Sequence, residues 1–126
     1  MKLQYIIIYV DDVVKATVFY EKAFAMKTRF VHDSKTYAEM ESGSTTLAFA
    51  SQGMLESNTG IPAMTGVKNC FEIAFSSQDV QADFARAVRA GAKEIRGPEQ
   101  KPWGQTVAYV QDDFGTLVEI CSPVIK

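Results

Sequence analysis

The same succession of elements runs through this chain twice, and that repeat narrows the folds open to it more than any single residue does. "LQYIIIYV" (3–10) is β-branched and aromatic and reads as a strand. "DDVVKATVFYEKAF" (11–24) reads as a helix that Asp11 or Asp12 can cap, with Val14, Val18, Tyr20 and Phe24 near helical spacing. Three strands follow, "KTRFVH" (27–32), "KTYAEM" (35–40) and "TTLAFA" (45–50), turned by Asp33-Ser34 and Ser42-Gly43-Ser44. Residues 51–67 are rich in Gly, Ser, Asn and Pro, show no clear period and read as a linker.

Then the order returns. "NCFEIAFSS" (69–77) is a strand, and "DVQADFARAVRAGA" (79–92) is a helix capped by Asp79, with Val80, Phe84 and Val88 four apart and Gly91 at its end. "KEIRG" (93–97) is a short strand, 98–104 a loop, and "QTVAYVQ" (105–111) and "TLVEICS" (116–122) are strands joined by the turn "DDFG" (112–115). Tyr5 and Glu72 hold matching places on the opening strands, as Asp12 and Asp79 do at the helix starts, each pair 67 residues apart. Sequence identity between the halves is weak. The reading is therefore an α+β fold of two βαβββ modules, 1–50 and 68–126, joined by the linker 51–67. A module of about 60 residues buries too little surface to be stable alone. Two modules, packed side by side or swapped into a dimer, give 126 residues, 47 % of them apolar, enough for a core.

Charge and cysteine usage exclude some functions. A net charge of −2 and a sequence pI near 5.4 argue against a nucleic-acid partner, which calls for a basic patch, and lean toward a neutral or cationic ligand. The opening "MKLQYIIIYVDD" lacks the small-residue cleavage site of a signal peptide, and no apolar run reaches the roughly 18 residues of a membrane span. Cys70 and Cys121 lie in strand-like runs without motif spacing and read as buried thiols of a reducing compartment. A cytoplasmic protein is expected.

One acid interrupts the last apolar strand. In "TLVEICSP" (116–123), Glu119 stands among Leu117, Val118, Ile120 and Cys121. Strand alternation puts Leu117, Glu119 and Cys121 on one face and Val118 and Ile120 on the other. On the strand 69–77 the same rule sets Glu72 opposite Phe71, Ile73 and Phe75.

The order, the size and several strings resemble the vicinal oxygen chelate superfamily of glyoxalases, fosfomycin and bleomycin resistance proteins and extradiol dioxygenases. "VKATVFYEKAFAM", with the pair Phe19-Tyr20, is similar to that family's first helix. "FEIAF" stands at its His-Ile-Ala-Phe-like strand, and "KPWGQTVAYVQDDFGTLVEI" resembles its closing signature. The resemblance covers essentially the whole chain. It implies that each module curls a mixed sheet into a cup with the helix outside, and that Glu119 points into the cup. In metal-dependent members the ligands are a His on the opening strand of each module, a His or Glu ending module one, and a Glu on the final strand.

At those four places this chain has Tyr5, Ala48, Glu72 and Glu119, and its turn is Asp112-Asp113-Phe114-Gly115 without the family's proline. A catalytic metal needs about three protein ligands and an open position. A neutral tyrosine, with an ordinary pKa near 10, is a poor one. No cofactor is therefore expected, and a divalent metal, if held, would have Tyr5, Glu72 and Glu119 as ligands. Glu72 and Glu119 can instead bind a cation or share a proton, and the bland alternative is two inherited acids satisfied by Tyr5, a backbone amide or water.

Other residues weigh less. Trp103, at the family's aromatic position by the cup's mouth, is either a stacking surface or a loop anchor. Tyr37, Met40 and Phe49 line the cup or pack the core, and parity favours core for Phe49. His32, the only histidine, reads as structural, and "DFG" (113–115) is a chance match to the kinase motif.

Three functions follow. The first is a metal-independent binder of the bleomycin-resistance type, sequestering a ligand in an aromatic and acidic cup lined by Tyr5, Tyr37, Ala48, Glu72, Trp103 and Glu119. The second is a glyoxalase-type lyase or isomerase, using a degenerate metal site or Glu72 and Glu119 as acid and base. The third is a non-catalytic interaction module. The lost histidines favour the binder. The resemblance implies a homodimer, and a cationic or aromatic ligand suits the acids and the tryptophan.

Overall fold

The computed structural model of the chain describes residues 1–62 and 71–123. Its elements are β1 (Tyr5–Val10), α1 (Val13–Phe24), β2 (Lys27–Val31), β3 (Tyr37–Glu41), β4 (Thr46–Ser51), α2 (Gln52–Thr59), β5 (Glu72–Ser76), α3 (Val80–Arg89), β6 (Lys93–Gln100), β7 (Thr106–Gln111) and β8 (Leu117–Cys121). They fall into two compact units, Met1–Val67 and Lys68–Lys126. Each unit holds a four-stranded sheet, in the order β1-β4-β3-β2 or β5-β8-β7-β6. Its first and last strands pair in parallel and its other neighbours antiparallel. The fold is α+β with open mixed sheets.

In the first unit, the Asp12 carboxylate accepts from Lys15 N at 3.0 Å and starts α1. The helix ends at Ala25, which takes the left-handed conformation. Its buried stripe is Val13, Ala16, Thr17, Phe19, Tyr20 and Ala23, spaced three and four apart. Val14 and Val18, expected on that stripe, are exposed instead. The small residues Ala16 and Ala23 let the helix approach the sheet, so volume misleads where position decides. The Tyr20 ring packs on Phe49 at 4.7 Å, and Phe49 and Met40 are fully buried. Register pairs Ile6 with Leu47, Ile8 with Phe49 and Ala38 with Phe49, which fixes this face as the core.

In the second unit, Asp79 accepts from Ala82 N at 3.0 Å and starts α3, which packs on β6, β7 and β8 through Val80, Phe84 and Ala87. Ala87 takes the buried place that spacing gave to Val88, which is exposed. Ile73, Ala108, Val110, Val118 and Ile120 bury the matching face of the sheet. The turn before β8 manages without proline because Asp112 Oδ1 accepts from Phe114 N at 2.9 Å and Thr116 N at 2.7 Å. Gly115 follows with a positive φ of 88°.

Two expectations are corrected. Residues 51–67 are not linker throughout: Ser51 accepts from Met54 N at 3.2 Å, α2 follows, and Gly60 closes it with φ 74°. Both cap residues stood in the sequence, but the helix buries no residue and so carries no apolar period. The strand read as 93–97 runs to Gln100 through Pro98. This costs no ladder bond because β6 is an edge strand whose register slips between Arg96 and Glu99. Residues 63–70, with Cys70, lie outside the described residues. Among those described, Cys121 forms no disulfide, and no helix is long and apolar enough to cross a membrane.

Candidate functional site

Strand register makes the two units comparable residue by residue on the sheet face turned away from the core. Tyr5 pairs with Thr46, and Ile7 with Ala48, which pairs in turn with Glu39. In the second unit Glu72 pairs with Leu117, and Ala74 with Glu119, which pairs in turn with Tyr109. Ala48 and Glu119 therefore hold the same place, as do Tyr5 and Glu72.

The first unit neutralises this face with its own side chains. Arg29 grips Glu41 with Nε to Oε1 at 3.1 Å and Nη2 to Oε2 at 3.2 Å. Its Nη1 reaches Glu39 Oε1 at 3.2 Å and Thr46 Oγ1 at 3.4 Å. The Tyr37 hydroxyl donates to the other Glu39 oxygen at 2.8 Å. Burial, then the bond to Glu39, pushes the Tyr37 phenol well above its ordinary range, so it stays a donor. Arg29 holds the Glu41 carboxyl below its ordinary value. Glu39 is only 9 % exposed and all but closed to solvent. Ala48 shows no surface at all, while Tyr5 remains 45 % exposed.

The second unit leaves the same face open and acidic. Glu72, Ala74 and Ser76 are exposed along β5, and Tyr109, Leu117, Glu119 and Cys121 are half-buried beside them. The Tyr109 hydroxyl donates to Glu119 Oε1 at 3.4 Å. Burial and then the charge of Glu72 push the Glu119 carboxyl above its ordinary value, and the Tyr109 bond opposes the rise. The Cys121 thiol and the Tyr109 phenol are pushed up as well, by burial first and by the two carboxylates next. Among the described residues neither Glu72 nor Glu119 has an ion pair.

One backbone feature explains the difference. Both edge hairpins slip register at the same point, between Thr28 and Phe30 and between Glu94 and Arg96. A bulge re-aims the residue it inserts. That residue is Arg29 in the first unit and the exposed Ile95 in the second. The first unit places a cation at the bulge; the second has Ile95 there, and Arg96, which pairs with Tyr109, forms no ion pair with Glu72 or Glu119 among the described residues.

Trp103 is 66 % exposed, at the tip of the β6–β7 loop, with its indole Nε1 donating to Gln105 Oε1 at 2.9 Å. His32 serves its own turn, its Nδ1 accepting from Ser34 N at 3.1 Å.

Glu39, Arg29, Tyr109 and Gln105 escaped sequence reading. Tyr37, Glu39 and Glu41 do alternate in "YAEME", which marks one face of a strand. The bulge at Arg29 leaves no trace in the pattern, and Tyr109 gains its role only once the β7–β8 register is known.

The second unit's donors fall short of a resident divalent metal. Two carboxylates supply two ligands where about three are needed, and the raised Cys121 thiol resists giving a thiolate. Among the described residues no three His, Cys, Asp or Glu side chains are grouped to hold one.

A sequence model of the Glyoxalase/Bleomycin resistance protein/Dioxygenase superfamily matches residues 2–120. No curated protein matches the sequence. Among solved structures, a glyoxalase-related enzyme from Fulvimarina pelagi superposes with a TM-score of 0.86 at 21 % identity, covering 98 % of this chain and 88 % of that one. A glyoxalase/bleomycin resistance protein/dioxygenase family enzyme from Burkholderia phytofirmans gives 0.78 at 19 % identity, covering 99 % and 100 %. A member of the same superfamily from Sphaerobacter thermophilus gives 0.74 at 18 %, covering 98 % of each chain. At these identities the likeness establishes the fold.

Proposed function

The chain belongs to the glyoxalase/bleomycin resistance protein/dioxygenase superfamily, and on that premise we propose that it is a small-molecule binding protein that works without a metal. It sequesters a planar cation against Glu72 and Glu119. The observation that carries this reading is the open face of the second unit, where among the described residues two carboxylates form no ion pair of the kind Arg29 makes in the first. A ligand cation would meet two acceptors held on a fixed sheet, with Leu117 and Tyr109 to pack on its apolar part. Trp103 is a further exposed aromatic of the second unit. In the first unit Tyr5 is exposed, Tyr37 supports Glu39 and Ala48 is buried. A homodimer is the assembly this reading expects.

Binding should then depend on pH with a defined sign. The cation needs Glu119 ionised, and the Glu119 carboxyl titrates above its ordinary value. Affinity therefore rises as pH climbs through that raised value and levels off above it, with protons released in between. Titration calorimetry of N-methylquinolinium between about pH 4 and 8, in buffers of different ionisation enthalpy, measures both quantities. Affinity constant over that range, with no proton release, would sink the assignment to Glu119.

A second reading, a lyase or isomerase with Glu72 and Glu119 as base and acid, is favoured by the same raised carboxyl. It requires turnover with a pH–rate profile that Glu119→Gln abolishes.

A further inference from the structure

The largest apolar side chain of the second unit is held in water rather than buried. Trp103, the only tryptophan, is 66 % exposed. The turn beneath it is well specified: Gly104 N bonds Lys101 O at 2.9 Å and Lys101 N bonds Gln105 O at 2.7 Å. Pro102 fixes one φ of that turn, and Gly104 supplies the φ of 96° that other residues resist. This sets the backbone at the tip but leaves the indole free to rotate.

Gln105 removes that freedom. Its Oε1 accepts from the indole Nε1 at 2.9 Å, while its Nε2 donates to Ser122 O at 2.7 Å. The loop is further tied to the same residue by Thr106 N to Ser122 Oγ at 2.9 Å. A chain of two hydrogen bonds thus runs from the ring to the end of the strand that carries Glu119. Ser122 lies three residues past Glu119, about 10 Å of strand. An anchor buried for stability would need no such tie, because packing would orient it. A ring presented to a ligand does need it, since an ordered surface loses less entropy on binding.

We propose that Gln105 is a positioning residue that holds the Trp103 indole as a ready stacking surface for the planar part of the ligand. This rests on the binding reading above.

Trp103 alone reports indole fluorescence, so its motion is directly measurable. Time-resolved anisotropy compares the wild type with Gln105→Leu, which removes both bonds, and with Gln105→Glu, which keeps an acceptor for the indole. Circular dichroism first checks that each variant is folded. The wild-type indole should tumble with the protein, Gln105→Leu should add fast local rotation, and Gln105→Glu should retain much of the order. Calorimetry with N-methylquinolinium should show about tenfold weaker binding to Gln105→Leu. A wild-type indole as mobile as that of Gln105→Leu overturns the proposal. So does unchanged affinity in Gln105→Leu when Glu119→Gln binds weakly, and that outcome leaves the binding reading intact. Ordered wild-type Trp103 with no binding of the probe by wild type overturns the stacking role and counts against the binding reading as well.

Discussion

Phe49→Ala should destabilise the protein by about 3–5 kcal/mol. Phe49 sits on β4, an inner strand of the first sheet, and is fully buried. It pairs with Ile8 and Ala38 across the sheet, and its ring lies 4.7 Å from that of Tyr20 at 60°. Truncation loses the transfer energy of the ring, opens a cavity and breaks a tilted aromatic pair. Sheet and helix close on the site from both sides, so little relaxation can fill the gap. Urea unfolding followed by circular dichroism measures the loss. A change under about 1 kcal/mol would mean that α1 does not pack on this face.

Glu119→Gln should weaken binding of N-methylquinolinium by roughly 10- to 100-fold, the worth of one contact to a charged group. The same substitution should raise stability near neutral pH. An acid whose folded pKa lies above its unfolded one holds its proton more tightly when folded. Its contribution therefore falls as pH rises from the unfolded value through the folded one, and is least favourable once ionised. Gln is neutral throughout and escapes that loss. Affinity falling while stability at neutral pH rises separates a functional acid from a structural one. A substitution at a satisfied structural carboxylate would cost stability instead. Thermal unfolding and calorimetry on one preparation give both signs.

Much of the fold was legible because the repeat is written in local chemistry. Asp12 and Asp79 cap both helices as their side chains allow, and strand parity turned Glu119 and Glu72 away from Val118, Ile120 and Ile73. What stayed hidden depended on pairing. The helix α2 buries nothing and so shows no period. Pro98 is harmless only because β6 is an edge. The site was half legible for the same reason. Glu72 and Glu119 could be placed on one face from alternation alone. That the first unit spends its own Glu39 and Glu41 on Arg29 required knowing where β2 bulges. A bulge is set by twist and register rather than by residue type. Sequence also offered Tyr37 and Ala48 as equals of Glu119, although one is occupied by Glu39 and the other is shut from solvent.

Titration of N-methylquinolinium into protein stripped of metal by a chelator tests the central claim most directly. Stoichiometric binding, unchanged when nickel, zinc or manganese is returned, is the expected result. Binding that appears only with the returned metal would contradict it and make Glu72 and Glu119 metal ligands instead.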